Sequence, residues 1–124
     1  MNQILAIALG GALGSVLRFL ASTWAHNRLG DDFPYGTLLV NMVGSLLMGL
    51  LYTLLAERSA LDPIWRAGLL VGVLGGFTTF SAFSMDTVNL IAGGEFPKAL
   101  VNIALNVGLC LTATWVGIVG ARQL

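Results

Sequence analysis

Phe80 and Phe83 stand three residues apart, as do Ser81 and Ser84, in the stretch GVLGGFTTFSAFS at residues 72–84. On a helix each pair shares a face. Just upstream, Gly75-Gly76 weakens any helix that runs through it. The stretch lies inside a long apolar run, where lipid supplies no hydrogen bonds, so broken backbone survives there only inside protein or beside a water-filled cavity. The same small residues also suit simple close helix packing, and the stretch taken alone leaves both readings open. Other polar groups lie inside apolar runs. Arg18 is the only charge in its run. Such a cation faces protein or water and attracts anions, or it snorkels outwards from one turn inside. A vestibule position satisfies both.

Thr37, Asn41 and Ser45 follow one another at four-residue spacing. Asn41 offers two donors that an anion can use without meeting a full positive charge. An interhelical hydrogen bond is the other use of such a residue, and the stripe of three tilts the reading towards a pore wall. Asn102, Asn106, Cys110 and Thr114 repeat in the same way, suiting a pore or glue between helices equally. Asp86 lies beyond the Phe/Ser segment, where it is expected to pair with a cation or cap a group near a vestibule.

The chain has 124 residues, 56% hydrophobic and 10% charged, with a mean hydropathy of +0.86. So little polar surface points to an integral membrane protein. Net charge is zero without a basic patch, which argues against nucleic acid as a partner. A single cysteine, Cys110, excludes an internal disulfide. The N-terminus has no charged leader, so the first apolar run reads as a retained helix and not as a signal peptide. Metal-ligand clusters of Cys and His, paired carboxylates, a nucleophile with its base and a phosphate loop are all missing from the sequence, which excludes the usual enzyme chemistries.

Four apolar runs position these residues, at about 4–24, 35–56, 64–92 and 98–121, each able to cross roughly 30 Å of hydrocarbon. The fold expected is all-α: four transmembrane helices in one membrane domain over residues 1–124. The third run would be roughly 43 Å long as a straight helix, so a tilt or a break is expected, with Thr78 at its midpoint. Trp24, Tyr35 and Trp65 fall at or near predicted helix ends and Trp115 a turn or two inside the last, as in an aromatic belt. His26 is read as a solvated loop residue. Arg58, Arg66 and Arg122 lie on the side of the termini, against Arg28 and Lys98 on the other, with Arg18 towards that second end. This near balance gives almost no positive-inside bias, so insertion in both orientations and head-to-tail pairing are plausible.

The segments GGALGSVLRF, GTLLVNMVGSLLMGLL and GGFTTFSAFSMD, in this order in a chain of this length, resemble the Fluc (CrcB-type) fluoride channels over nearly the whole chain. The resemblance implies an antiparallel, dual-topology homodimer in the bacterial inner membrane. It implies passive export of cytoplasmic fluoride through two pores at the dimer interface, a broken third helix, and a structural sodium ion (Na+) at the two-fold centre. Carried over by motif, Phe80 and Phe83 look like the phenylalanines whose ring edges line the ion path, and Asn41 like the pore asparagine. Thr79, Ser81 and Ser84 look like the hydroxyls beside them, and Arg18 like the vestibule arginine. The backbone carbonyls of Gly75 and Thr78 look like the sodium ligands, supplied by both subunits. The chain departs at Ala82, where threonine is common, and at Asp86, where glutamate is usual. Ala104 and Gly108 stand where more polar side chains are expected, with Asn102 or Asn106 to compensate.

Physical chemistry supports this reading. Fluoride is small and strongly hydrated, so a selective path replaces its water with fixed donors, and weak multiple sites let the ion leave. Aromatic ring edges are electropositive and can face an anion edge-on. The alternative of another class is a small dual-topology multidrug-type transporter, which needs a carboxylate embedded in its first helix. Here that helix carries Arg18. A structural assembly protein without transport activity is a third reading, opposed by the cost of the break and of the polar stripes in lipid.

Overall fold

The computed structural model describes residues 2–57 and 62–124. Six α-helices follow in order: α1 (Gln3–Leu29), α2 (Tyr35–Leu51), α3 (Pro63–Arg66), α4 (Gly75–Phe77), α5 (Phe80–Ala92) and α6 (Phe96–Arg122). α2 continues as a π-helical turn, Tyr52–Glu57, and α3 joins α4 through a π-helical segment, Ala67–Leu74. Together they give four helices long and apolar enough to cross a membrane: Gln3–Leu29, Tyr35–Leu55, Pro63–Ala92 and Phe96–Arg122. The described residues hold no strand. The turn expected at 57–63 and the charge of Arg58 fall largely or wholly outside the described residues.

Local chemistry sets the ends of these helices. The Asn2 side chain caps α1 by accepting the Leu5 N–H at 2.7 Å. α1 runs past residue 24 because nothing stops it before Gly30, whose φ of +93° only glycine adopts freely and whose N–H closes onto the His26 carbonyl. His26 therefore belongs to the last turn of α1, not to a loop. Asp62 caps α3 through the Ile64 N–H, with Pro63 in the first turn, and Pro97 sits in the first turn of α6.

Small residues let the spans approach closely. The first span packs on the N-terminal part of the third, and α2 packs along α6. Gly10 and Gly14 are buried against Gly68, Gly72 and Val73, where an added Cβ would strike main-chain atoms. Two polar ties fix which ends lie together. Lys98 Nζ donates to the Asp32 carbonyl at 3.0 Å, and Arg122 pairs with Glu57 at 3.2 Å. Arg28 and Lys98 thus share one end, and Arg66 and Arg122 the other. The fully buried positions include Val40, Ala25 and Ala99, together with the polar Asn102 and Thr53. Large apolar side chains such as Ile4, Phe19, Leu111 and Trp115 cover the outside.

The third span is broken, but not at its glycines. Gly75 and Gly76 remain helical, and the chain extends at Thr78 (φ −88°, ψ 158°) and Thr79 (φ −152°, ψ 118°). Two β-branched residues in sequence prefer that geometry. The glycines serve contact instead: an added Cβ on Gly76 would lie 2.8 Å from the Gly11 carbonyl.

Gly14→Ala is expected to lower stability by about 1–3 kcal/mol, because its Cβ meets the Val73 backbone, which cannot step aside. Gly120→Ala, with open space at its Cβ, is expected to be neutral or stabilising by up to about 1 kcal/mol. Thermal unfolding of the two variants in the same detergent checks the contrast.

Candidate functional site

Breaking a helix frees backbone groups, and at this break one side chain takes up both groups of a single residue. Asn41, on the second span, faces the extended Thr79. Its Oδ1 accepts the Thr79 N–H at 2.8 Å, and its Nδ2 donates to the Thr79 carbonyl at 3.0 Å. A paired strand would satisfy Thr79 in the same way, so the amide acts as a strand one residue long. The other Nδ2 hydrogen goes to Asn106 Oδ1 on α6, at 3.1 Å. Both donors that the sequence offers to an anion are therefore held by protein acceptors.

The threonines complete the break. Thr78 Oγ1 donates back to the Leu74 carbonyl at 3.1 Å. Thr79 Oγ1 caps α5 by accepting the Ala82 N–H at 3.1 Å and lies 3.2 Å from Ser81 Oγ. Ser84 Oγ donates to the Phe80 carbonyl at 3.0 Å. Arg18 Nε donates to the Gly76 carbonyl at 3.0 Å, which ties this arginine to the break.

Asn41, Thr78, Thr79, Phe80, Phe83 and Asn106 meet in one open groove of about 370 Å³, which runs on along Ser45, Met48, Cys110 and Thr114. The two phenylalanine rings are 5.2 Å apart between centroids and inclined at 54°. They are unequally set: Phe83 is 8% exposed and Phe80 76%. Ser81, Ser84, Arg18 and Gly75 do not line this groove. Asn106, Cys110 and Thr114 present the polar stripe of α6 to it. Ala104 and Gly108, where more polar side chains are expected, are exposed and are not among the residues that line the groove.

The Thr37–Asn41–Ser45 stripe divides. Thr37 turns to a second hollow of about 500 Å³, which it lines with Asp86, His26, Asp31 and Asp32. There Thr37 Oγ1 donates to Asp86 Oδ2 at 2.7 Å; of the two expectations for Asp86, a cation partner or a group to cap, the bond found is to a hydroxyl. Asn102 and Asn106, which the sequence leaves open between a pore wall and glue between helices, are bonded here to each other and to Thr87, a residue the sequence does not single out. Asn106 Nδ2 donates to both Asn102 oxygens at 3.0 Å, and Asn102 Nδ2 donates to Thr87 Oγ1 at 2.9 Å. The four-residue repeat of asparagine on α6 was the available signal. It marks a face, but not which of two helices that face meets.

Groups of three or more His, Cys, Asp or Glu able to hold a metal are absent among the described residues. The break itself offers main-chain oxygens. The regular helical donor for the Gly75 carbonyl is the Thr79 N–H, which goes to Asn41, and that for Thr78 is the Ala82 N–H, which goes to Thr79 Oγ1. Both carbonyls are thus left without their usual helical donors.

Comparison with known proteins gives this arrangement a context. The family model described as CrcB-like protein, Camphor Resistance (CrcB), matches residues 5–118. Among curated relatives, a protein of Methylococcus capsulatus is 50% identical over 98% of this chain, which spans about half (54%) of that relative's length. One of Shewanella amazonensis is 50% identical over 94% of both chains, and one of Geobacter metallireducens is 47% identical over the full length of both. Each of the three is named a fluoride-specific ion channel, FluC. With four membrane-crossing helices and a match over nearly its whole length, this multi-pass membrane chain belongs to the CrcB family.

Proposed function

We propose that the chain is a fluoride-selective ion channel and not an enzyme, passing fluoride out of the cytoplasm by passive electrodiffusion. The observation that carries this reading is end-to-end identity with relatives named for that activity. The groove supports it chemically. Its wall has hydroxyls, amides and two aromatic rings, and no charged side chain. Neutral donors and electropositive ring edges hold an anion weakly enough to release it.

The pore residues we assign are Asn41, Thr79, Phe80, Ser81, Phe83 and Ser84, with Arg18 supplying positive charge behind the break. Since the Asn41 amide hydrogens are bonded within the protein, its part is to hold Thr79 and the start of α5 in place. Thr79 then supplies a hydroxyl to the groove; Ser81 and Ser84, outside its lining in a single copy, carry hydroxyls that can turn towards an ion in the paired unit.

The groove is open on one side, and Phe80 projects from it. A second copy closes it in this reading. Residues 1–124 act as one four-helix membrane unit, and two units pair antiparallel, with dual topology, in a bacterial inner membrane. The near balance of Arg58, Arg66 and Arg122 against Arg28 and Lys98, with Arg18 towards that second end, suits insertion both ways. An antiparallel pair has two grooves, hence two pores, and a two-fold axis in the membrane plane. The Gly75 and Thr78 carbonyls of both copies would hold a structural sodium ion on that axis, whose charge lowers the cost of admitting anions nearby.

Liposomes loaded with fluoride and containing only this protein are expected to empty once valinomycin collapses the opposing voltage, while chloride stays inside. Phe80→Ile keeps apolar bulk and removes the ring edge, so flux should fall at least about tenfold, a barrier change of about 1.4 kcal/mol, with elution on a sizing column unchanged. Equal chloride release, or a strict need for a proton gradient as in a coupled drug exporter, refutes the channel.

Gly75 separates the one-copy from the two-copy reading. Within the protomer, a Cβ there meets only the Leu70 carbonyl, at an ordinary 3.8 Å. Gly75→Val is therefore expected to leave the folded protomer intact yet abolish pairing and flux, since the branched side chain fills the approach between two breaks. Cross-linking and flux, measured with sodium present and after its replacement by a bulky organic cation, check this. A Gly75→Val protein that pairs and conducts normally removes the shared carbonyl site.

A further inference from the structure

A chain of side-chain hydrogen bonds runs from the break through α6 to the turn that carries Phe83. The Thr79 N–H donates to Asn41 Oδ1, Asn41 Nδ2 to Asn106 Oδ1, and Asn106 Nδ2 to Asn102 Oδ1. Asn102 Nδ2 then donates to Thr87 Oγ1, and Thr87 Oγ1 donates to the Phe83 carbonyl at 2.8 Å. We propose that Asn106, Asn102 and Thr87 are positioning residues, which fix the break and the Phe83 turn relative to each other through this one-way chain.

The direction of every amide is forced. Thr79 N–H can only donate and the Thr79 carbonyl can only accept, so Asn41 must present Oδ1 to one and Nδ2 to the other. That places Nδ2 against Asn106, which must answer with its oxygen. Asn106 Nδ2 then faces the Asn102 main-chain carbonyl at 3.0 Å, an acceptor only, so the assignment closes. At the far end the Phe83 carbonyl also only accepts, so Thr87 donates there and must accept from Asn102. Fixed-polarity backbone groups at both ends thus leave one arrangement. Flipping any one amide sets donor against donor.

Burial makes the chain stiff. Asn102 is 0% exposed, Asn106 6% and Thr87 7%. In surroundings of low dielectric, each bond polarises the next, and each broken bond leaves a buried polar group unpaired. Asn102 and Thr87 lie outside the lining of the groove, so they act through others. The bonds of the chain link α6 to both sides of the ion path: the second span and the break through Asn106 and Asn41, and α5 through Asn102 and Thr87.

The flux arm of the test rests on the channel reading above, and a second arm needs no fluoride. Thr87→Val is nearly isosteric and removes only the hydroxyl, whereas Thr87→Ser restores it. In the full protein in detergent, hydrogen exchange at the Thr79 amide is expected to rise about tenfold in Thr87→Val and in Asn102→Ala, the worth of about one hydrogen bond. Exchange in α1 should stay as in the parent. Thr87→Ser should restore protection at Thr79. In liposomes the same two variants should lose about tenfold in fluoride flux or let chloride through, and the serine variant should recover. Unchanged protection at Thr79 in Thr87→Val overturns the proposal, as does a rise in exchange shared equally by all helices, which would mean general loosening. If the parent passes no fluoride but Thr79 loses protection as stated, the channel reading falls and the positioning chain stands.

Discussion

A broken helix inside a membrane must satisfy its own backbone. Each free N–H or carbonyl costs several kcal/mol in hydrocarbon, and no water is there to take it. The architecture follows from how that demand is met at Thr78 and Thr79. One amide, Asn41, supplies an acceptor and a donor to the same residue, Thr79. Thr78 and Thr79 turn their hydroxyls onto the ends of the two half-helices. Arg18 takes the Gly76 carbonyl. The second span, the first span and α6 are all held to the break through these contacts.

Those bonds are short because the spans carry almost no bulk where they meet. Gly44 lies on the Asn41 face of α2, three residues on. An added Cβ there would strike Thr78 Cγ2 and come within 3.3 Å of the Phe77 ring. A larger residue at Gly44 would push the break away and leave the Asn41 amide out of reach. Gly10 and Gly14 do the same for α1 against the π-helical segment, which brings Arg18 to the Gly76 carbonyl. Close packing and a functional break, which the sequence presents as competing readings of one stretch, are therefore one design: the glycines make the contact, and the threonines make the break.

Four spans were legible because long apolar runs bounded by Pro, Gly and charge allow little else. Helix ends were less so. α1 runs to Leu29 because the polar residues after Trp24 are still good helix, and only Gly30 ends it. The expected break, Gly75 to Thr78, overlaps the observed one at Thr78 but begins too early, since glycine signals weak helix and close approach alike. The sequence pairs Phe80 with Phe83 by spacing and joins Asn41 to them only through the resemblance, and the structure sets all three in one groove. What stayed hidden was pairing. Asp86 bonded to Thr37, and Asn102 to Thr87, depend on how three helices are rotated about their axes. A four-residue repeat names a face, and several rotations present that face to a neighbour.

A path that selects a small hydrated anion needs a rigid geometry, and on the proposed function rigidity and ion binding draw on different groups. The amides with the best donors, Asn41, Asn106 and Asn102, direct those donors at one another and at the backbone. They are the frame. The hydroxyls of Thr79 and Ser81 lie 3.2 Å apart, and a hydroxyl can rotate without breaking the frame, so those groups are suited to follow a moving ion. The two rings divide in the same way. Phe83 is packed on the frame side, its carbonyl held by Thr87, whereas Phe80 stands out of the protomer. One ring is positioned by this chain, and the other finds its place against whatever covers the groove. On the proposed function that cover is a second copy, so the geometry of one ring is set by folding and that of its neighbour by assembly.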